Sequence, residues 1–257
     1  MKFIVRTKNG YGQDIRKEVA DIIKRNGAEY TEDIEPGCDF AIVIGGDGTL
    51  LRDHWKLDCP VLGINPGKSV GYYMNAGRND YKQCIMTLIK GRPSRDYHVH
   101  KLITLEAGIN GEKMEARGLN DVLVSPIFVR RILESRLAVH GRESEERNSG
   151  IIVYTPTGSH AFAHSAGAKK LGYDSNMIGI AALAPYSGVL KKQEILVESG
   201  PVRIECMSDK GEVCIDGSDV NLKKLKKGDA VTVERSRKFL QLVGFKPYGH
   251  QQLWSTR

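Results

Sequence analysis

The chain has few cysteines, no long apolar run, no internal repeat and no low-complexity tract. Its five cysteines, Cys38, Cys59, Cys84, Cys206 and Cys214, are odd in number, scattered, and form no CxxC pair. That spacing argues against a zinc site and against a disulfide framework, so reduced, mostly buried thiols are expected. No stretch is long and apolar enough to span a bilayer. The opening Met1-Lys2-Phe3-Ile4-Val5-Arg6 is too short an apolar run for a signal peptide. A cytoplasmic protein without a membrane partner is the expectation. His98 and His100 stand two apart with no third ligand nearby, which is too little for a metal site. No segment interleaves basic and aromatic residues. The net charge of +7, from 38 basic and 31 acidic residues, therefore points to anionic small molecules such as nucleotides rather than to nucleic acid. The densest basic cluster, Lys223-Lys224-Leu225-Lys226-Lys227, reads as a solvated turn between strands.

What is present divides into two patterns. Up to residue 97, strands and helices alternate. Strands are expected at 2–6, 40–44 and 60–65, and helices at 13–25, 49–56 and 79–90. The first helix places Ile15, Val19, Ile22 and Ile23 on one face and stops at Gly27; the last carries Cys84, Ile85, Leu88 and Ile89 and stops at Gly91. Strands separated by helices imply a parallel sheet with crossover connections, whose ligands bind at the carboxyl ends of the strands. Beyond 97, short alternating runs at 99–107, 119–124, 131–139, 150–154, 202–206, 212–215, 230–234 and 239–243 are separated by turn signals such as Asn110-Gly111 and Lys227-Gly228-Asp229. The expected organisation is an α/β domain over 1–97 and a β-rich domain over 98–257. The last ten residues are expected to cover the first domain or a neighbouring subunit.

Four segments carry chemistry. Ala41-Ile42-Val43-Ile44-Gly45-Gly46-Asp47-Gly48-Thr49-Leu50 reads as a buried strand, a glycine turn with one carboxylate, and a helix start. Glycines allow close approach of a ligand, and the unpaired N–H groups of a helix start suit phosphate. The alternative is a tight turn in which Asp47 is a local cap. Leu119-Asn120-Asp121-Val122 sets an amide beside a carboxylate, as a turn, a bulge or a binding pair. Tyr154-Thr155-Pro156-Thr157-Gly158-Ser159-His160-Ala161-Phe162-Ala163-His164-Ser165-Ala166-Gly167 is a second loop leading into a helix, either a binding loop or a polar cap. Tyr72 and Tyr73, after Pro66-Gly67-Lys68-Ser69-Val70-Gly71, offer a face for a flat heterocycle, or are one core and one rim residue.

In order and spacing these segments resemble the NAD kinases over nearly the whole chain. Gly45-Gly46-Asp47-Gly48-Thr49 matches the GGDGT signature of that family, Asn120-Asp121 its Asn-acid pair, and Thr155-Pro156-Thr157-Gly158-Ser159 its TPTGS loop, continued by Ser165-Ala166-Gly167. Cys214-Ile215-Asp216-Gly217 resembles a later Ile-Asp-Gly segment. The glycine-aspartate turn also occurs in diacylglycerol, sphingosine and 6-phosphofructo kinases; the TPTGS loop is the more specific part. The resemblance implies an α/β N-terminal domain and a β-rich C-terminal domain with the site between them. It implies that Asp47 activates the adenosine-ribose 2′-hydroxyl of NAD, and that Gly45, Gly46, Gly48 and Thr49 accommodate the phosphates of ATP. Mg²⁺ or another divalent cation is implied as cofactor. Tyr72, Tyr73, Asn120, Asp121, His160, Ala161, Phe162 and Ser165 are implied substrate contacts, and a homodimer or homotetramer the implied assembly.

The chain departs from the family pattern on the substrate side. His160 and Phe162 stand where Thr and Tyr are usual. Ser149 stands where an Asp precedes the strand into the loop, and Lys169-Lys170 where Gly-Pro is usual. Four readings follow: an ATP-dependent NAD kinase; a kinase of the same fold acting on NADH, another adenosine metabolite or a lipid head group; a non-catalytic nucleotide-binding module; and a nucleic-acid binder. The first accounts for the motifs together.

Overall fold

The computed structural model describes residues 1–7, 12–67, 71–128 and 130–245. The described residues form two compact units, 1–102 with the chain from Leu240 to 245, and Ile103–Phe239. The return of the chain to the first unit at Leu240 has no counterpart in a single division at residue 97. The last ten residues and Lys68-Ser69-Val70 lie outside the described residues.

The first unit holds β1 (Lys2–Thr7), α1 (Gln13–Arg25), β2 (Glu29–Thr31), β3 (Phe40–Ile44), α2 (Asp47–Asp53), β4 (Val61–Asn65), β5 (Ala76–Gly77) and α3 (Tyr81–Lys90). Its strands pair in parallel in the order β5, β4, β3, β1, β2. Every residue of β3 and β4 is buried, as continuous Val/Ile-rich runs in a parallel sheet require. On α1, Ile15, Val19 and Ile23 share one core with Ile85 and Leu88 of α3 and with Phe3, Ile42 and Ile64 of the sheet. Each such side chain contributes roughly 1.5–3 kcal/mol by leaving water. Gly27, at φ 72°, ends α1; its N–H reaches the Lys24 carbonyl at 3.1 Å. The expected helix over 49–56 divides into α2 and a 3₁₀ turn, His54–Lys56, and Asp47 is its first helical residue.

β6 (His98–Ile109) leads from the first unit into the second, which holds β7 (Glu112–Gly118), β8 (Asp121–Pro126), β9 (Leu133–Val139), β10 (Arg142–Asn148), β11 (Gly150–Tyr154), α4 (Phe162–Ser165), β12 (Ile178–Leu183), β13 (Ile195–Val197), β14 (Val202–Cys206), β15 (Gly211–Ile215) and β16 (Leu222–Leu225), and β17 (Ala230–Gly244) leads back at Leu240. One antiparallel sheet runs β13, β12, β11, β8, β15, β16. A second antiparallel set runs β10, β9, β14, β17, with β6 joining β17 to β7. Two hairpins turn on residue pairs with positive φ: Asn110 and Gly111 at 52° and 87°, and His140 and Gly141 at 50° and 71°.

The α/β unit with a parallel sheet and the β-rich unit agree with expectation in class. Some strands are absent from the sequence reading. β10 is Arg-Glu-Ser-Glu-Glu-Arg-Asn, which no hydrophobic pattern reveals; it alternates all the same, with Glu146 and Asn148 fully buried. β17 is one strand rather than the two expected. The polar stretch Glu234–Lys238 stays in the ladder because Ser236, 3% exposed, donates to Glu106 Oε1 at 2.6 Å. Among the described residues no helix is long and apolar enough to cross a membrane.

Candidate functional site

In the first unit the glycine turn leaves β3 at its carboxyl end. The Gly45 N–H donates to the Ile64 carbonyl at 2.9 Å, and the Thr49 N–H to the Gly46 carbonyl at 2.9 Å. A Cβ on Gly45 would lie 2.3 Å from Thr49 Oγ1, so the turn closes only around glycine. At Gly46 and Gly48 a Cβ would meet no described atom within 4 Å, and Gly48 is exposed. Those two positions leave open space above the turn.

Asp47 is half-buried and bound at both oxygens. The Tyr72 N–H donates to Oδ2 at 2.6 Å, and the Tyr73 N–H to Oδ1 at 2.9 Å. Burial pushes its pKa above the usual carboxylate range, against the two N–H donors. The result is an oriented carboxylate with raised proton affinity, suited to accept a proton from a hydroxyl. Tyr73 is 1% exposed and Tyr72 half-buried, with rings edge-on at 5.0 Å between centroids. The tyrosines are thus one core and one partly exposed residue, and both reach Asp47 through backbone N–H groups, which residue types alone could not reveal.

In the second unit Asn120 and Asp121 are held by Asp216, which sequence reasoning left out of the site. The Leu119 N–H donates to Asp216 Oδ2 at 2.8 Å, and the N–H groups of Asn120 and Asp121 donate to Oδ1 at 2.7 and 3.1 Å. The Asp216 N–H returns to the Asp121 carbonyl at 3.0 Å. Asp216 has φ 53°, with Gly217 at 62°, so the Asp-Gly turn after β15 was the available signal. Asp121 is 5% exposed. Burial, and then the negative charge of Asp216, push its carboxyl up to about 7.

The Thr-Pro-Thr-Gly-Ser loop is knitted to the same corner. Thr155 Oγ1 and Thr157 Oγ1 contact the Leu119 carbonyl at 2.6 and 3.1 Å, and the Thr155 N–H donates to the Asn120 carbonyl at 2.9 Å. Ser159 Oγ donates to the Pro156 carbonyl at 2.6 Å and accepts the Leu171 N–H at 2.9 Å. All three hydroxyl residues are buried. The hydroxyls shape the loop and the threonines hold the Leu119 carbonyl, while the Thr155 N–H holds that of Asn120.

His160 is half-buried and stacks on Tyr173, with centroids 5.5 Å apart and planes 2° from parallel. Burial lowers its pKa, against a backbone hydrogen bond the ring makes to Leu171, which raises it, and the charges of Lys170 and His164 add to the lowering. Ala161 is half-buried; Phe162, 48% exposed, and Ser165, exposed, lie on α4. Ala163 and Ala168 seat that short helix on Ile152, Tyr154 and Ala181. Ser149 donates its N–H to the Leu183 carbonyl at 2.8 Å. The rings of His98 and His100 are 6.1 Å apart, and no group of three or more His, Cys, Asp or Glu residues fit to hold a metal exists among the described residues.

Comparison with known proteins bears on both units. A family model for the ATP-NAD kinase N-terminal domain matches residues 5–92, and one for the ATP-NAD kinase C-terminal domain matches residues 96–245. The chain is 30% identical to the NAD kinase of Thermoplasma volcanium, over 89% of this chain and 81% of that protein. It is 26% identical to the NAD kinase of Edwardsiella ictaluri, over 100% of this chain and 89% of that protein. A crystal structure of an NAD kinase from Archaeoglobus fulgidus in complex with ATP has the same fold, with a TM-score of 0.76 at 22% identity, covering 96% of this chain and 94% of that one. A crystal structure of yeast NADH kinase complexed with NADH has a TM-score of 0.83 at 18% identity, covering 99% and 85%. With family models matching both halves of the chain and a relative 30% identical over 89% of it, the chain belongs to the NAD kinase family.

Proposed function

We infer that this chain is an ATP-dependent NAD kinase, phosphorylating the adenosine-ribose 2′-hydroxyl of NAD to give NADP. Family membership supports the reaction, and the held carboxylate of Asp47 carries the mechanistic reading. Asp47 accepts the 2′-hydroxyl proton as the hydroxyl oxygen bonds to the γ-phosphorus of ATP. The bond from that phosphorus to the β–γ bridging oxygen breaks, and ADP leaves with the electron pair. Gly45, Gly46, Gly48 and Thr49 take the donor phosphates; the open space at Gly46 and Gly48 supports this. Asn120 and Asp121 hold the dinucleotide, supported by their fixing to Asp216 and by the Thr155 N–H on the Asn120 carbonyl. Tyr72, Tyr73, His160, Ala161, Phe162 and Ser165 complete the substrate contacts, with the exposure of Phe162 favouring a ring contact.

A divalent cation, Mg²⁺, fits this chemistry. Magnesium keeps water and phosphate ligands and needs one or two carboxylates rather than a protein cage. Asp47 is the carboxylate of the turn, and the cation would neutralise charge on the transferring phosphoryl group. The same reading includes a homodimer or homotetramer in the cytoplasm, to which the five free cysteines are suited.

The test is a product assay with purified protein, ATP and Mg²⁺, offering NAD and NADH separately and reading NADP(H) with an NADP-specific dehydrogenase. NADP formation that follows ATP consumption one to one is expected. ATP turnover without NADP(H) would overturn the acceptor assignment.

A further inference from the structure

The sheet of the first unit changes partners along one edge of β4. Its other edge is paired with β3, from Ala41 to Ile44. On the changing edge, Val61 pairs with Leu242 of β17, whereas Ile64 and Asn65 pair with Ala76 and Gly77 of β5. Val243 and Asn75 therefore meet where one strand gives way to the next, and the Asn75 Nδ2 group donates to the Val243 carbonyl at 2.6 Å. Both residues belong to the first unit, although 168 positions separate them. Val243 is buried and Asn75 half-buried.

Asn75 closes the segment that holds Asp47. The Tyr72 and Tyr73 N–H groups on its carboxylate come from the residues just before it. Tyr73 and Met74 are buried, and β4 carries Gly63 where the Tyr73 carbonyl lies; a Cβ there would overlap that oxygen. Packing of this kind presses the segment against β4 but is non-directional. The hydrogen bond of Asn75 is directional and fixes the place of the segment along the strand. An amide suits the position, since it donates without a charge; Asp, of the same shape, would set acceptor against acceptor.

We propose that Asn75 is a positioning residue for the Asp47 carboxylate: its amide, clamped to the Val243 carbonyl, fixes the Tyr72–Tyr73 backbone whose N–H groups orient both carboxylate oxygens. Its part in turnover rests on the reading of Asp47 as the base. Asn75 itself touches neither nucleotide in this role. Its loss lets the two N–H groups drift, and the carboxylate then leaves the line of the hydroxyl it must meet.

The test compares the full native chain with Asn75→Asp, Asn75→Ala and Asn75→Gln. Amide hydrogen exchange is read by nuclear magnetic resonance at Tyr72 and Tyr73, with Ile42 of β3 and Tyr154 of β11 as controls. In Asn75→Asp and Asn75→Ala, exchange at both tyrosines should quicken by about tenfold, the equivalent of one net hydrogen bond, with both controls unchanged. Steady-state assays with ATP and NAD should show kcat lower by about tenfold to a hundredfold, and both Michaelis constants within about twofold of native, as expected of a misplaced catalytic group. Asn75→Gln keeps the donor and should stand between native and Asn75→Ala in both readouts. Native exchange at Tyr72 and Tyr73 in Asn75→Ala overturns the proposal. So does exchange that quickens equally at Ile42, which would make Asn75 a structural residue only. Faster exchange at the two tyrosines with a native kcat would uphold the clamp on Asp47 and overturn instead the reading of Asp47 as the base.

Discussion

Gly158 lies against the backbone of Asn120 so closely that a Cβ at Gly158 would stand 1.9 Å from the Asn120 carbonyl oxygen. No side-chain motion relieves that contact, because the opposing atoms are backbone. The glycine of the Thr-Pro-Thr-Gly-Ser loop is therefore the contact by which the loop and the Asn-Asp corner set one another's position. Gly158→Ala should cost about 3 kcal/mol or more, the upper part of the overpacking range. A thermal melt and a turnover assay would check it, and a melt within a degree of native would refute the contact.

Asp47→Asn replaces one oxygen by an NH₂ facing the N–H of Tyr72 or Tyr73. Turnover should fall by roughly 10²–10⁴, the range for loss of a general base. Stability should drop by about 1–2 kcal/mol from the lost acceptor. ATP affinity within about threefold of native would separate chemistry from binding; native turnover would remove Asp47 from the mechanism.

Asp216→Asn addresses a different dependence. One carboxylate serves the N–H groups of Leu119, Asn120 and Asp121, and an amide cannot accept all three. A loss of about 1–3 kcal/mol is expected for each buried donor left unmade. The Michaelis constant for the dinucleotide should rise as Asn120 and Asp121 lose their positions. A native Michaelis constant in a destabilised variant would confine Asp216 to folding.

Asp121 gives stability a pH dependence with a definite sign. Its carboxyl is raised to about 7 by burial and by Asp216, against an unfolded value of about 3.9. Between those values the folded state holds a proton that the unfolded state has lost, so this contribution is full below about pH 4 and is lost as pH rises through about 7. Asp121→Asn removes its share of the slope, while Asp216, also pushed up to about 7 by burial, keeps its own. Denaturant unfolding of both proteins at several pH values should show the variant gaining on the native chain from pH 4 to 7; a constant difference would contradict it.

For His160 the sign is reversed. Burial lowers its pKa, so the stacked imidazole is neutral near pH 7 and its contribution to stability is lost as pH falls below about 6.5, toward the folded pKa. His160→Thr should leave the rate profile between pH 7 and 8 unchanged in shape and flatten the loss of stability on acidification. A shifted profile in that window would make His160 a titrating participant. Tyr173→Leu should cost about 0.5–1.5 kcal/mol through the lost stack.

The sequence by itself determined the class of each unit and the motifs. Continuous apolar runs in β3 and β4, helical spacing in α1 and α3, and the Asn110-Gly111 turn are local signals, and local physics fulfils them. Charged β10 and the middle of β17 were hidden because their ladders are held by neighbours distant in sequence, as Ser236 is by Glu106. Only the tertiary structure decided what the site residues touch. The partners of Asp47 lie about twenty-five residues away and are backbone groups, which carry no sequence signature. The role of Asp216, ninety-five to ninety-seven residues from the amides it binds, is likewise a product of chain crossing. Burial sets the direction of these pKa shifts, and burial is a property of the packed chain rather than of any segment of it.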